Sequence, residues 1–163
     1  MSEMPIEVIR SARRRKTVQA YLHEGKLRVM IPDHLTADQE AEVVDKLAAK
    51  LARRTSTTQI DLDQRSRILA ERYQLPLPVS IEWSDRQLRR WGSCSPSSGR
   101  IRVSNRLATV PDWVLDSVLV HELAHLVIAD HGKDFRALVD RYPRTERATG
   151  YLMALSDQTS IGE

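Results

Sequence analysis

Residues 111–128 constrain this chain more than any other stretch. Val114, Leu115, Val118, Leu119, Val120, Leu123, Leu126, Val127 and Ile128 recur so densely that, wound as a helix, they cover nearly its whole circumference. Pro111 with Asp112 beside it suits the backbone and dipole of a helix start, so a helix is predicted over 111–128. A helix that is apolar all round belongs in a core, and the rest of the chain must pack about it. Yet His121, Glu122 and His125 lie within it. A carboxylate buried there without a partner is disfavoured by several kcal/mol. The three polar residues therefore need something to bind.

His121-Glu122-Leu123-Ala124-His125 reads H-E-x-x-H, and histidines four apart on a helix project from one face, one turn apart. One cation can take both. A catalytic zinc needs three protein ligands and an open position, and His131, six residues beyond His125 and just before Gly132, is the candidate third ligand. Asp130 or a later acid is the alternative there, and Asp130 is also a candidate acceptor for a ligand's other ring N–H. The competing reading makes His121 and His125 hydrogen-bonded core histidines and Glu122 a helix residue reaching solvent. It requires all three to be coincidental. With Zn2+ bound, Glu122 is the expected general base, taking a proton from water and passing it to the leaving amine. Tyr151 or an arginine of residues 86–106 is the candidate second donor to the developing oxyanion.

Around this helix the pattern is α+β. Residues 5–10, 16–22 and 26–31 read as strands, the last two joined by a turn at His23-Glu24-Gly25, and are expected to form an antiparallel sheet. Thr36 and Gln39 make a capping box ahead of a helix that reaches residue 54, with Val44, Leu47, Ala48 and Leu51 on its apolar face. The polar residues 55–58 read as a connecting loop. Asp61 opens a second helix, stopped by Pro76 and Pro78. Residues 79–83, 87–94 and 100–104, with a turn at 95–99, are expected as a second antiparallel element, followed after the central helix by helices near 133–141 and 144–156. The expectation is one domain over 1–163: a sheet-plus-helix subregion at 1–58 and a metal-binding catalytic core at 59–163.

A chain of 163 residues, 41% hydrophobic and 29% charged, fits one globular domain, and no apolar run approaches the roughly 18 residues needed to span a bilayer. A membrane partner is therefore not expected. The N-terminus lacks a secretory signal and the single Cys94 has no disulfide partner, which together point to the cytoplasm. A monomer is expected. The net charge of +3 says little, but its distribution is uneven: Arg86, Arg89, Arg90, Arg100, Arg102 and Arg106 fall in a segment whose acids are Glu82 and Asp85. Such a segment is either a solvated hairpin or a site for phosphate or carboxylate.

The chain resembles the SprT-like and YgjP-like zinc metallopeptidases, small relatives of the gluzincins. The resemblance rests on Arg90-Trp-Gly-Ser-Cys94, the strand from Gly99 to Arg106 with Asn105, Pro111 before Val114-Leu-Asp-Ser-Val118, and Val120-His-Glu-Leu-Ala-His-Leu126 with His131 and Phe135. Order and spacing agree over about residues 80–140. Arg13-Arg-Arg-Lys-Thr17, Leu27-Arg-Val-Met-Ile-Pro32 and the following helix are similar to the YgjP-like branch. The resemblance implies a zincin-type α+β fold, with the strand near 100–104 as the edge along which a peptide would lie. Arg106 and Arg136 depart from the pattern, since aromatics are common at those places, and this bears on substrate preference rather than on metal ligation. Trp91 is read as a core residue and Cys94 as a buried thiol.

The functional expectation is a zinc-dependent metallopeptidase acting on a peptide or protein substrate. Two rivals accompany it. One is a zinc hydrolase of phosphorylated or nucleotide substrates, and the other a non-enzymatic adaptor that holds nucleic acid through residues 13–16 and 86–106. A binding module has no use for Glu122 beside the metal, and no separate DNA-binding module is visible.

Overall fold

The computed structural model describes residues 5–160, which fold as two compact units divided between Arg54 and Thr55. Among the described residues there are five α-helices and two three-stranded sheets, an α+β architecture. No helix among them is long and apolar enough to cross a membrane.

The first unit holds β1 (Ile6–Ser11), β2 (Gln19–His23), β3 (Lys26–Pro32) and most of α1 (Ala37–Gln59). Glu24 and Gly25 both adopt positive φ, 49° and 74°, which matches the twist of a two-residue hairpin turn and pairs β2 antiparallel to β3. The third strand alternates, burying Leu27, Val29 and Ile31. Val43, Val44, Leu47, Ala48 and Leu51 of α1 pack on that face. The capping box forms as expected: Gln39 N donates to Thr36 Oγ1 at 3.3 Å and Thr36 N to Gln39 Oε1 at 3.1 Å. Residues 55–58 do not form a loop. They extend α1 to Gln59, with the Thr58 hydroxyl turned back on Thr55 O at 2.7 Å, so a side chain that competes with helix in isolation is satisfied within it.

The second unit is built on α3 (Asp112–Ala124). Around it stand α2 (Leu62–Tyr73), α4 (Lys133–Val139), α5 (Thr145–Ser160) and a sheet of β4 (Ser80–Ser84), β5 (Gly92–Ser95) and β6 (Arg100–Ser104). Val114, Leu115, Leu119, Val120 and Leu123 of α3 are at most 1% exposed, the near-complete burial that an apolar circumference requires. Asp61 caps α2 by accepting from Gln64 N at 2.9 Å, and α2 ends where Gln74 turns left-handed before Pro76. Arg65 of α2 binds Asp116 of α3 at 2.5 Å and Asp112 at 3.3 Å, tying the two helices at their rim.

Two strand directions differ from expectation. Neither sheet is wholly antiparallel: β1 runs parallel to β3, and β4 parallel to β6. The orders are β1-β3-β2 and β4-β6-β5, so in each sheet the third strand enters between the first two. The third strand carries the alternating buried residues, and the centre of the sheet is where both its neighbours shield them. The expected strand over 87–94 shortens to Gly92–Ser95, and the central helix ends at Ala124 rather than 128.

Truncating Leu119 to alanine in the centre of the core is expected to cost about 2–5 kcal/mol. Asp61→Ala, which removes only a cap, is expected to cost about 1 kcal/mol. Urea unfolding of the two variants beside wild type checks the ranking.

Candidate functional site

His121 and Glu122 sit in the last turn of α3, His125 at its C-cap, and His131 in the turn before α4. The helix does not fade there. Leu126 N donates to Leu123 O at 3.1 Å and Val127 N to Ala124 O at 3.0 Å, a tightened turn that swings the Ile128 carbonyl back towards the helix. His125 Nδ1 meets that carbonyl at 3.0 Å. An N–H donated there leaves the lone pair on Nε2, aimed at the other two rings. The expected acceptor Asp130 does not fill this role. Its carboxylate lies near Gly132 instead, and the Ile128 carbonyl serves His125.

The three imidazoles converge. His121 Nε2 lies 3.2 Å from His125 Nε2 and 3.4 Å from His131 Nε2, and one ligand atom from each ring falls within a 4.8 Å group. Donors held at about 2.0–2.1 Å by a tetrahedral zinc stand about 3.3–3.4 Å apart, which the two separations through His121 match. Phe135 of α4, 3% exposed, fixes the group from behind, stacked on His125 at 4.4 Å and edge-on to His121 and His131 at 4.9 and 4.8 Å. Phe135 reads in the sequence as a helix core position. Its role as the common backing of three rings depends on α4 folding over α3.

Burial, reinforced by His125 and His131, pushes the His121 imidazole down to about 4. Burial also lowers His125, against the hydrogen bond to Ile128, which raises it, while His131 lowers it further. Both rings are thus held neutral, the form that ligates a metal. Glu122 is 5% exposed, and burial raises its carboxyl to about 7, opposed by the positive charge of Arg90. Burial and then the Glu122 charge push the Cys94 thiol up to about 11, so it stays protonated, in keeping with a passive thiol.

A cavity of about 450 Å³ opens over the histidines, with Arg90, Gly92, Cys94, Glu122 and Ala129 in its wall. Tyr151 is not part of it and instead packs edge-on to Trp113 at 5.6 Å. Of the two oxyanion candidates, the arginine alternative is the one found at the site, as Arg90. Two other arginines of the basic segment are engaged elsewhere: Arg102 on Glu82 at 3.1 Å, and Arg106 over the ring of half-buried Trp91 at 3.9 Å.

The strand that borders the histidines is β5. The strand at 100–104, expected as the edge, is β6 and lies in the middle of its sheet, bonded on both sides. The reason is local: the 96–99 turn folds β5 onto one side of β6, and β4 already occupies the other. Ser104 N donates to Trp91 O at 2.8 Å, so by antiparallel alternation residues 91, 93 and 95 bond to β6 while Gly92 and Cys94 direct N–H and C=O outward. At Gly92 the strand touches the helix. An added Cβ would lie 2.6 Å from Glu122 Oε1 and 2.8 Å from its Cγ, so only glycine lets β5 pass this close to the carboxylate. A sequence reading sees a glycine in Trp-Gly-Ser-Cys but has no means of knowing what faces it.

Residues 13–153 match the family described as YgjP-like, metallopeptidase domain, and the chain belongs to that family. Its α+β fold is thus that of a small zincin-like metallopeptidase domain, a class that implies a metal. Searches of the curated proteins and of the solved structures gave no significant match.

Gly92→Ala is expected to displace the Glu122 side chain or the strand, at about 1–3 kcal/mol of overpacking. Urea unfolding should show the loss, and Gly92→Ala combined with Glu122→Ala should recover most of it, because the clash is with that side chain.

Proposed function

We propose that the protein is a zinc-dependent peptidase in which His121, His125 and His131 hold the metal and Glu122 is the general base. The observation that carries this reading is the convergence of three Nε2 atoms, 3.2 and 3.4 Å apart in the two pairs through His121, beside a buried carboxylate. When bound, zinc supplies the Lewis acid that polarises a carbonyl and acidifies water.

The chain's own residues do the rest. His125, oriented by Ile128 O, and His121, backed by Phe135, stay neutral and fixed. Glu122, whose burial makes its carboxylate more basic than in water, accepts the proton of the attacking water and delivers it to the leaving amine. Arg90 supplies the positive charge that faces a developing oxyanion. The outward N–H and C=O groups of Gly92 and Cys94 accept an extended peptide as an added strand, which places its carbonyl beside Glu122. That last feature favours a peptide over a phosphate ester, which has no matching backbone pattern. Of the six arginines in the basic segment that a nucleic-acid adaptor would use, Arg102 and Arg106 are already engaged with protein groups.

Metal analysis by plasma mass spectrometry tests the ligand set. Near-stoichiometric zinc is expected in wild type and in Glu122→Gln, and little in His121→Ala or His131→Ala. Peptide cleavage is expected to fall by a factor of about 10²–10⁴ in Glu122→Gln with zinc retained. Zinc retained in His131→Ala would require a different third ligand, and a zinc-free wild type after reconstitution would defeat the reading.

A further inference from the structure

A second cavity, of about 460 Å³, adjoins the metal-facing one. The two meet at Gly92, His121 and Glu122, which line both. Its remaining wall comes from α3, α4, α5 and Trp91. Val118 and Val139 form its inner part, and Leu152 and Met153 line it from α5, with Met153 65% exposed.

Three of the four hydroxyl side chains in that wall are turned onto the backbone, and Ser117 on α3, 7% exposed, is the fourth. Thr145 Oγ1 donates to Tyr142 O at 2.8 Å and Val139 O at 2.9 Å, Thr149 Oγ1 to Thr145 O at 3.0 Å, and Ser156 Oγ to Leu152 O at 2.9 Å. Each of these three hydroxyl protons is spent on a nearby backbone carbonyl. Among the described residues, the sole acidic or strongly basic side chain in the lining is Glu122 itself. An acidic ligand group would meet its repulsion, and a basic one would have as its counter-charge only the carboxylate that the reaction uses. The chamber is large enough for any natural side chain, so its chemistry rather than its size does the selecting.

Resting on the peptidase reading above, we propose that this cavity is the side-chain pocket for the substrate residue beside the scissile bond. It selects a large uncharged apolar side chain: leucine, methionine or phenylalanine. Thr149 and Met153 set that preference from α5, while Val118 and Val139 supply the apolar depth.

Two measurements on the full chain test the pocket separately from the catalysis. In the first, N-acetyl amino-acid amides are titrated and amide NMR spectra recorded. The leucine and phenylalanine amides are expected to shift Gly92, Thr149 and Met153 and to bind about tenfold or more tightly than the aspartate and lysine amides. Thr149→Lys, a change at an exposed helical position, is expected to abolish those shifts. Equal binding of all four amides, or shifts elsewhere, overturns the pocket. In the second, a peptide library is digested with the zinc-loaded protein, with Glu122→Gln as control, and cleavage sites are expected to cluster beside leucine, methionine and phenylalanine. Glu122-dependent cleavage without that enrichment also overturns it. No Glu122-dependent cleavage, with the amide preference intact, refutes the peptidase reading and still supports an apolar pocket.

Discussion

Burial of α3 on every side is the constraint on which the second unit depends. A helix with Leu115, Leu119, Val120 and Leu123 all withdrawn from water must be enclosed by α2, α4, α5 and a sheet. Enclosure is what removes water from around His121 and Glu122, and so depresses one and raises the other. It also dictates where the enclosure must stop. His125 stands at the helix end and His131 in an exposed turn, so the buried and the accessible halves of the site are successive stretches of one chain. The core and the reactive centre are therefore not separate features sharing a scaffold. The packing that stabilises the unit also sets the protonation of its polar residues.

What was legible in the sequence was local. The capping box at Thr36 and Gln39, the cap at Asp61, the turns at 23–25 and 95–99 and the H-E-x-x-H spacing all depend on residues within a few positions of one another, and each chemical preference there has one geometric outcome. What was illegible depended on which element comes to lie beside which. Both hairpins could be read, but not that a preceding strand would join on the far side of β3 or β6, since period-two alternation looks the same at an edge and a centre. Likewise Leu126, Val127 and Ile128 extend the apolar pattern past the true end of α3, because Leu126 and Ile128 still pack on the core from a tightened turn, while Val127 is exposed.

The site shows the same division. Spacing alone points to the three histidines, and the structure brings them together. Their supports have no such signal: a backbone carbonyl at Ile128 in place of the Asp130 side chain, Phe135 behind the rings, and Gly92 against Glu122. A carbonyl acceptor carries no side-chain signature at all, and a glycine is informative by the absence of an atom whose neighbour lies thirty positions away in sequence. Tyr151 illustrates the converse, a residue of suitable chemistry on a helix near the site whose ring is committed to Trp113.

The shortness of β5 has a consequence for the protein's behaviour in a crowded solution. An open sheet edge invites pairing with the edge of any other chain, including another copy, and long flat edges are how such pairing propagates into aggregates. Here the exposed hydrogen-bonding register spans the four residues Gly92–Ser95 and then meets Pro96, which has no N–H to continue it. Few outward pairs are available, too few to hold a stranger firmly by backbone alone. Backbone pairing along so short an edge would exchange readily, unlike the lasting pairing that long flat edges support.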